Sequence, residues 1–205
     1  VYVPAHFAAP DDALDQLLAA PGAVDLVSTT AGGLTATTLP MLHDPAAGTL
    51  AGHLARTNPQ WRDSVGDVLV IVRGPDAYVS PAWYASKAEH GRVVPTWDYV
   101  LAHVHGELVV HDDVDWLAAH VRRLTATHES ARPEPWTVSD APEKYVAGQL
   151  RAIVGVEVRI RRVEAKWKLS QNRPGADIDG VVAGLTADGR PDVAAAVQAA
   201  RPADR

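Results

Sequence analysis

The chain is predicted to be mainly β with peripheral helices, as a closed antiparallel barrel and not as alternating βαβ units. Three observations predict this. About seven strand-like runs are punctuated by Gly, Pro and Asp turn signals. Helical apolar spacing is confined to a few segments. No internal repeat or low-complexity linker interrupts the 205 residues.

In chain order, Pro10-Asp11-Asp12 followed by Leu14, Leu17 and Leu18 predicts a capped amphipathic helix that Pro21-Gly22 stops. Strands follow over Ala23 to Thr30, closed by Gly32-Gly33, then Leu34 to Leu42, closed by Asp44-Pro45, then Thr49 to Leu54. Asp67 to Arg73 is nearly all aliphatic, as a central strand buried on both faces would be, and Gly74-Pro75 is expected to end it. Ala77 to Ser80 predicts a further short strand, and the alternation from Trp97 to Val110 predicts a long one. Apolar residues at 114, 117, 121 and 124 place a helix over Asp112 to Thr127. A second helix runs from Ala141 to Ile153, with Pro142 in its first turn. A strand from Val154 to about Leu169 comes next, then helices around Ile178 to Leu185 and Asp192 to Ala200.

Bulk properties exclude several classes of function. A hydrophobic fraction of 47% and a charged fraction of 21% are those of an ordinary globular protein. With no cysteine, disulfides, thiolate metal sites and thiol catalysis are all ruled out. No apolar run is long enough for a bilayer-spanning helix, and the first residues lack the pattern of a secretory signal, so cytoplasm is the expected compartment. A formal charge of −6 weighs against non-specific DNA binding. The short basic groups Arg122-Arg123 and Arg159-Ile160-Arg161-Arg162 are read as solvated faces.

Two strand ends carry more polarity than a core can use. Lys168-Leu169-Ser170-Gln171-Asn172-Arg173-Pro174 packs an ammonium, a guanidinium and three neutral hydrogen-bonding side chains into seven residues. Gly52-His53-Leu54-Ala55-Arg56-Thr57-Asn58-Pro59-Gln60-Trp61 is a second such cluster. A phosphate-bearing ligand would use both, with charge-assisted donors for the anion and neutral donors for hydroxyls.

These clusters occur in order with Tyr2-x-Pro4-x-x-Phe7, Tyr78-Val79-Ser80-Pro81-x-Trp83-Tyr84 and Val94-Pro95-Thr96-Trp97. Together they resemble the PaiB family of FMN-binding negative transcriptional regulators, over roughly residues 2 to 187. That family is similar to the split-barrel flavoproteins, among them the pyridoxamine phosphate oxidases. The resemblance implies an antiparallel split β-barrel of the FMN-binding type over 1–187, with 188–205 as a helical extension. It also implies FMN as cofactor, bound at the interface of a homodimer, with DNA as a possible partner that the charge does not support.

Within that reading Arg56 and Lys168 are the expected phosphate ligands. Asn58, Ser170, Gln171 and Asn172 would serve phosphate or ribityl oxygens. Thr35 and Thr37 share one strand face, with Thr38 on the other, and one of them is expected at the ribityl chain or ring edge. His53 and Ala55 match ligand-facing positions. Trp83 and Trp97, in Pro-rich loops, offer flat surfaces to an isoalloxazine ring or a dimer interface. His103 and His105 point the same way on one strand, but no metal is expected without a third ligand at a convincing spacing. Catalytic residues are not assigned. Alternatives are an FMN-dependent oxidoreductase and a haem-binding split barrel with His53 or His103 as axial ligand. One departure stands out: the family has Asn after Pro-Thr-Trp, and this chain has Asp98. A carboxylate near the flavin would disfavour the anionic reduced ring.

Overall fold

A computed structural model of the chain describes residues 1–9, 15, 17 and 22–202. Its strands are β1 (Ala23–Thr30), β2 (Gly33–Pro40), β3 (Leu42–Asp44), β4 (Thr49–Ala55), β5 (Val65–Val79), β6 (Thr96–His111) and β7 (Ile153–Lys168). They hydrogen-bond in the order β2-β1-β5-β6-β7-β4-β3. The pairs β1–β2, β1–β5, β3–β4 and β4–β7 are antiparallel. The helices are α1 (Gln60–Asp63), α2 (Ser86–His90), α3 (Val114–Glu129), α4 (Glu143–Arg151), α5 (Gly175–Ala187) and α6 (Pro191–Ala199). The predicted mainly β, antiparallel class is the observed one. Among the described residues no helix is long and apolar enough to cross a membrane.

The strand boundaries differ from the sequence reading in two places. Asp67 to Arg73 and Ala77 to Ser80 are not separate, because β5 runs through Gly74-Pro75. Its ladder with β1 ends at Ile71, so the N–H that Pro75 lacks falls beyond that ladder. Conversely, the run from Leu34 to Leu42 divides into β2 and β3 around Met41. The short helices α1 and α2 carry too few residues to show an apolar period. The helix expected after Pro10 lies, apart from Asp15 and Leu17, outside the described residues.

The chain forms two compact units. The first comprises residues 1–14, 73–102 and 164–205, and the second 15–72 and 103–163. In the first, Phe7, Val79, Tyr84, Leu169, Ile178, Val181, Leu185, Val193 and Val197 are buried. Gly180 and Gly184 make room on α5 for Trp83, since a Cβ at Gly184 would come within 2.2 Å of its ring. Asp177 on the same helix accepts from the backbone N–H and hydroxyl of Ser86, at 2.9 and 2.7 Å, which ties α5 to α2.

In the second unit, Leu26, Leu39, Met41, Leu50, Leu54, Val68, Val70, Val154, Val156 and Leu117 form the core. β1 and β2 turn through Ala31-Gly32 into Gly33, whose φ of +106° favours glycine. The start of α3 is fixed by Asp113, whose carboxylate accepts from Trp116 N–H at 2.7 Å. The helix then lies against β7 at Gly155, where a Cβ would sit 2.2 Å from the Trp116 ring.

Gly155→Ala is therefore expected to push Trp116 off its seat and destabilise the protein by about 1–3 kcal/mol. For a chain of this size that is several degrees of thermal midpoint, at roughly 2–4 °C per kcal/mol. An unchanged melting curve for this variant would show that α3 does not depend on the contact.

Candidate functional site

In the second unit, the end of β4, the start of α1 and one face of β2 build a polar group around Gln60. Gln60 is 2% exposed, and its amide donates to Leu26 O at 2.9 Å and Ser28 Oγ at 3.1 Å. Its Oε1 accepts from Thr37 Oγ1 at 2.6 Å. Thr37 in turn accepts from Asn58 Nδ2 at 2.9 Å, and Asn58 Oδ1 accepts from Gln60 N–H at 2.9 Å. The sequence reading brought Thr37 and Asn58 into one site, and they do touch. It passed over Gln60, the buried residue that fixes both, although the polar residue in that cluster followed by Trp61 was visible. Thr35, two residues before Thr37, shares its face of β2 and is half-buried. Thr38 faces the other way and donates to Asp25 at 2.7 Å.

His53 lies apart from this ladder. Neighbouring residues of a strand point to opposite faces, and Gly52 points at Leu39 and Met41. His53 faces α3 instead, with Nδ1 3.2 Å from Nε2 of the buried His120. Burial lowers the pKa of both rings. That of His120 falls to about 4, with the neighbouring His53 and Arg123 adding to the shift. Trp116 stacks between His111 and His120, with ring centroids at 4.1 and 5.2 Å. Ala55, at the end of β4, is exposed.

Arg56 closes the C-terminal end of α4. Its Nε donates to Arg151 O at 2.8 Å, one Nη to Ile153 O at 2.8 Å, and both Nη atoms to the Asp112 carboxylate at 3.0 and 2.5 Å. A guanidinium among helix-end carbonyls complements the helix dipole. The Asp112 hydrogen bond raises the pKa of Arg56, and the same bond lowers that of Asp112. Both partners remain open to solvent, with side chains 36% and 55% exposed. The basic groups of this unit also have acidic neighbours: Arg161 meets Asp67 at 2.7 Å and Glu107 at 3.3 Å, and Arg159 lies 4.0 Å from Glu157.

In the first unit a buried carboxylate organises the other predicted cluster. Asp98 is 0% exposed and accepts from Ser170 Oγ at 2.7 Å, with Lys168 Nζ at 3.5 Å. Lys168 also donates to Thr96 Oγ1 at 2.8 Å and Trp97 O at 2.6 Å, so its three donors are spent within the unit. Ser170 sits at φ +64°, a left-handed position that turns its hydroxyl onto Asp98. Gln171 folds back on its own strand, donating to Trp167 O at 2.6 Å and accepting from Leu169 N–H at 2.8 Å. Asn172 is exposed. Arg173 stacks its guanidinium 4.5 Å over the Tyr84 ring.

Of the two tryptophans, Trp83 packs on the α5 glycines. Trp97 is 50% exposed, donates from Nε1 to Asp76 at 2.8 Å and meets Tyr78 edge-on. Its ring borders a cavity of about 300 Å³ with Arg73, Tyr99 and Leu101.

Desolvation raises the Asp98 pKa, against the opposing pull of the Ser170 hydrogen bond and then Lys168. A carboxyl whose pKa is higher folded than unfolded favours the native state while protonated. That contribution is complete below the ordinary carboxylate range and is lost as pH rises through the raised value. Asp98→Asn should remove this loss, so its thermal midpoint should gain on the wild type between about pH 4 and pH 8. Parallel curves would mean that Asp98 ionises in the folded protein as it does in the unfolded chain.

Comparison with known proteins places these elements. Residues 1–162 match the family described as "Putative FMN-binding domain". An uncharacterized protein of Aspergillus fumigatus is 34% identical over 176 residues, 69% of this chain and 67% of its own. Protease synthase and sporulation protein PAI 2 of Bacillus subtilis is 33% identical over 145 residues, 70% of this chain and 67% of its own. Among solved structures, the flavocytochrome Anf3 of Azotobacter vinelandii superposes with a TM-score of 0.56 at 13% identity, covering 81% of this chain and 68% of its own. At that identity the likeness speaks for the fold, which is the split-barrel type that the sequence motifs imply. The chain belongs to the FMN-binding domain family, a flavin-binding split barrel with FMN as cofactor.

Proposed function

We propose that the Gln60–Thr37–Asn58 ladder is where this chain holds FMN, and that the bound flavin serves as the sensed ligand of a PaiB-type negative regulator. The ladder is the observation that carries the reading. Gln60 spends its capacity inward, which fixes Thr37 and Asn58 and leaves the second Asn58 amide hydrogen without a partner among the described residues, with half-buried Thr35 on the same face of β2. Neutral donors on a rigid strand suit the ribityl hydroxyls and phosphate oxygens of FMN. Arg56, two residues before Asn58, supplies the cation. Its pair with Asp112 is solvent-exposed, and exposed pairs contribute little, so a phosphate dianion can displace the carboxylate. When bound, FMN supplies a ring that can accept electrons; the protein's part is to bind and orient it.

The ladder carries no acid or base, and His53 lies on the other face of β4, which favours a binding role for the flavin over a catalytic one. The name of the Bacillus relative concerns protease synthesis and sporulation, in keeping with a regulatory role. Arg159 and Arg161 lie beside carboxylates, so we place the output in a protein contact and not in direct DNA binding. A homodimer with Trp97 in its interface completes the reading, since a half-exposed tryptophan is a strong anchor for a partner surface.

Fluorescence quenching of added FMN measures the first part. Thr37→Val and Asn58→Ala should each weaken binding by about 1 kcal/mol, on the order of fivefold. Arg56→Ala should weaken it by on the order of tenfold or more. Retention of full affinity in all three would place the phosphate elsewhere. For the regulatory part, NADH and NADPH added to the FMN complex should leave the flavin band near about 450 nm unchanged. Rapid bleaching would instead favour an oxidoreductase, and a strong Soret band in the isolated protein would favour haem.

A further inference from the structure

One face of β4 borders a second cavity, of about 220 Å³, floored by His53 and walled by Val121, Ala141, Val146, Leu150 and Ile153, with Gln149 also on its wall. Trp136 and Tyr145, 48% and 60% exposed, also line it. An apolar cavity of about 150 Å³ takes benzene, so this one has room for one substituted ring.

His53 gives the cavity a definite chemistry. Its Nδ1 is held by His120, and Nε2 has no hydrogen-bond partner among the described residues and is not one of their buried unsatisfied atoms. Nε2 is therefore a hydrogen-bonding atom within reach of the cavity. The two imidazoles share one proton along the Nδ1···Nε2 contact, and which ring donates decides what His53 offers. If His120 donates, His53 Nε2 carries a hydrogen; if His53 donates, Nε2 presents a lone pair. The dyad can meet either a donor or an acceptor. Lowered pKa values keep both rings neutral at pH 7, and the aliphatic walls penalise a charged ligand.

We propose that this cavity is a ligand site separate from the FMN site, taking a small neutral aromatic molecule with one hydrogen-bonding group, such as a phenol or an indole, read by the His53–His120 dyad. Trp136 and Tyr145 flank the ring, and His53 Nε2 receives its polar group. The separation of the two sites rests on the reading that places FMN at the Gln60 ladder, since this cavity is lined from β4, α3 and α4.

Phenol, indole and toluene are the probes, titrated onto the full chain and followed by the ¹⁵N and ring-proton signals of His53 and His120. Phenol and indole should shift both histidines and bind several-fold more tightly than toluene, which fills the same space without a polar group. His53→Phe should abolish that preference, and His53→Gln, which keeps a polar group there, should retain part of it. Ala141→Trp, which fills the cavity, should weaken all three probes at least tenfold while FMN quenching stays at the wild-type level. Equal binding of phenol and toluene in the wild type, or no binding of any probe up to its solubility, would overturn the proposal. So would a parallel loss of FMN affinity in Ala141→Trp, which would make the cavity part of the flavin site.

Discussion

The absence of a side chain at Gly155 is the constraint on which the second unit is built. Residue 155 pairs with His53 across the β4–β7 ladder, and Trp116 occupies the space that any Cβ would fill. Once Trp116 is seated, α3 lies close to the sheet and brings His120 to His53. The column His111–Trp116–His120 follows from that one close approach. A glycine here costs conformational entropy, and what it permits is a histidine dyad held between β4 and α3.

The first unit depends instead on a buried charge. Asp98 has no solvent, so its carboxylate is tolerable only with donors on it, and Ser170 and Lys168 provide them. The left-handed Ser170 is a strained position for a residue with a Cβ, and the hydroxyl's bond to Asp98 offsets that strain. Ser170 and Lys168 offset part of the cost of a buried carboxylate at a position where the sequence resemblance leads to Asn. Asp98 holds the start of β6 to the residues at the end of β7.

Much of the fold was legible because its signals are local. Turn signals bounded β1, alternation located β6, helical apolar spacing located α3 and Pro142 marked the start of α4, each within a few residues. Gly74-Pro75 misled because a proline ends a strand only where its N–H is needed, and that depends on a partner strand the sequence does not name. The polar clusters were legible as clusters, but the spending of each donor was not. Lys168 is used up by one hydroxyl, one backbone carbonyl and one carboxylate, and Arg56 by two carbonyls and Asp112. None of those acceptors sits near its partner in sequence, apart from one another. Gln60 escaped notice for the converse reason. A glutamine beside a tryptophan looks like surface, and only its burial gives it a role.

Polarity at a strand end therefore has two uses, and the donor inventory separates them. A side chain whose hydrogens all meet protein acceptors closes the fold, and a ligand can recruit it only by displacing those acceptors. One with a hydrogen left over can meet a ligand at no such cost. By that measure Ser170 is structural, bonded to a buried acid, whereas Gln171, folded back on its own strand, donates one amide hydrogen and keeps the other. Thr37 is structural as well, yet its two bonds orient Asn58, which keeps a free amide hydrogen. Arg56 stands between the classes: its bonds to carbonyls cap α4, while its bond to an exposed carboxylate is the kind an anion can replace. A phosphate arriving there would release Asp112, the residue just before the Asp113 cap of α3. Under the proposal that FMN sits at the ladder, its phosphate would change the charge at the start of α3, the helix that carries His120.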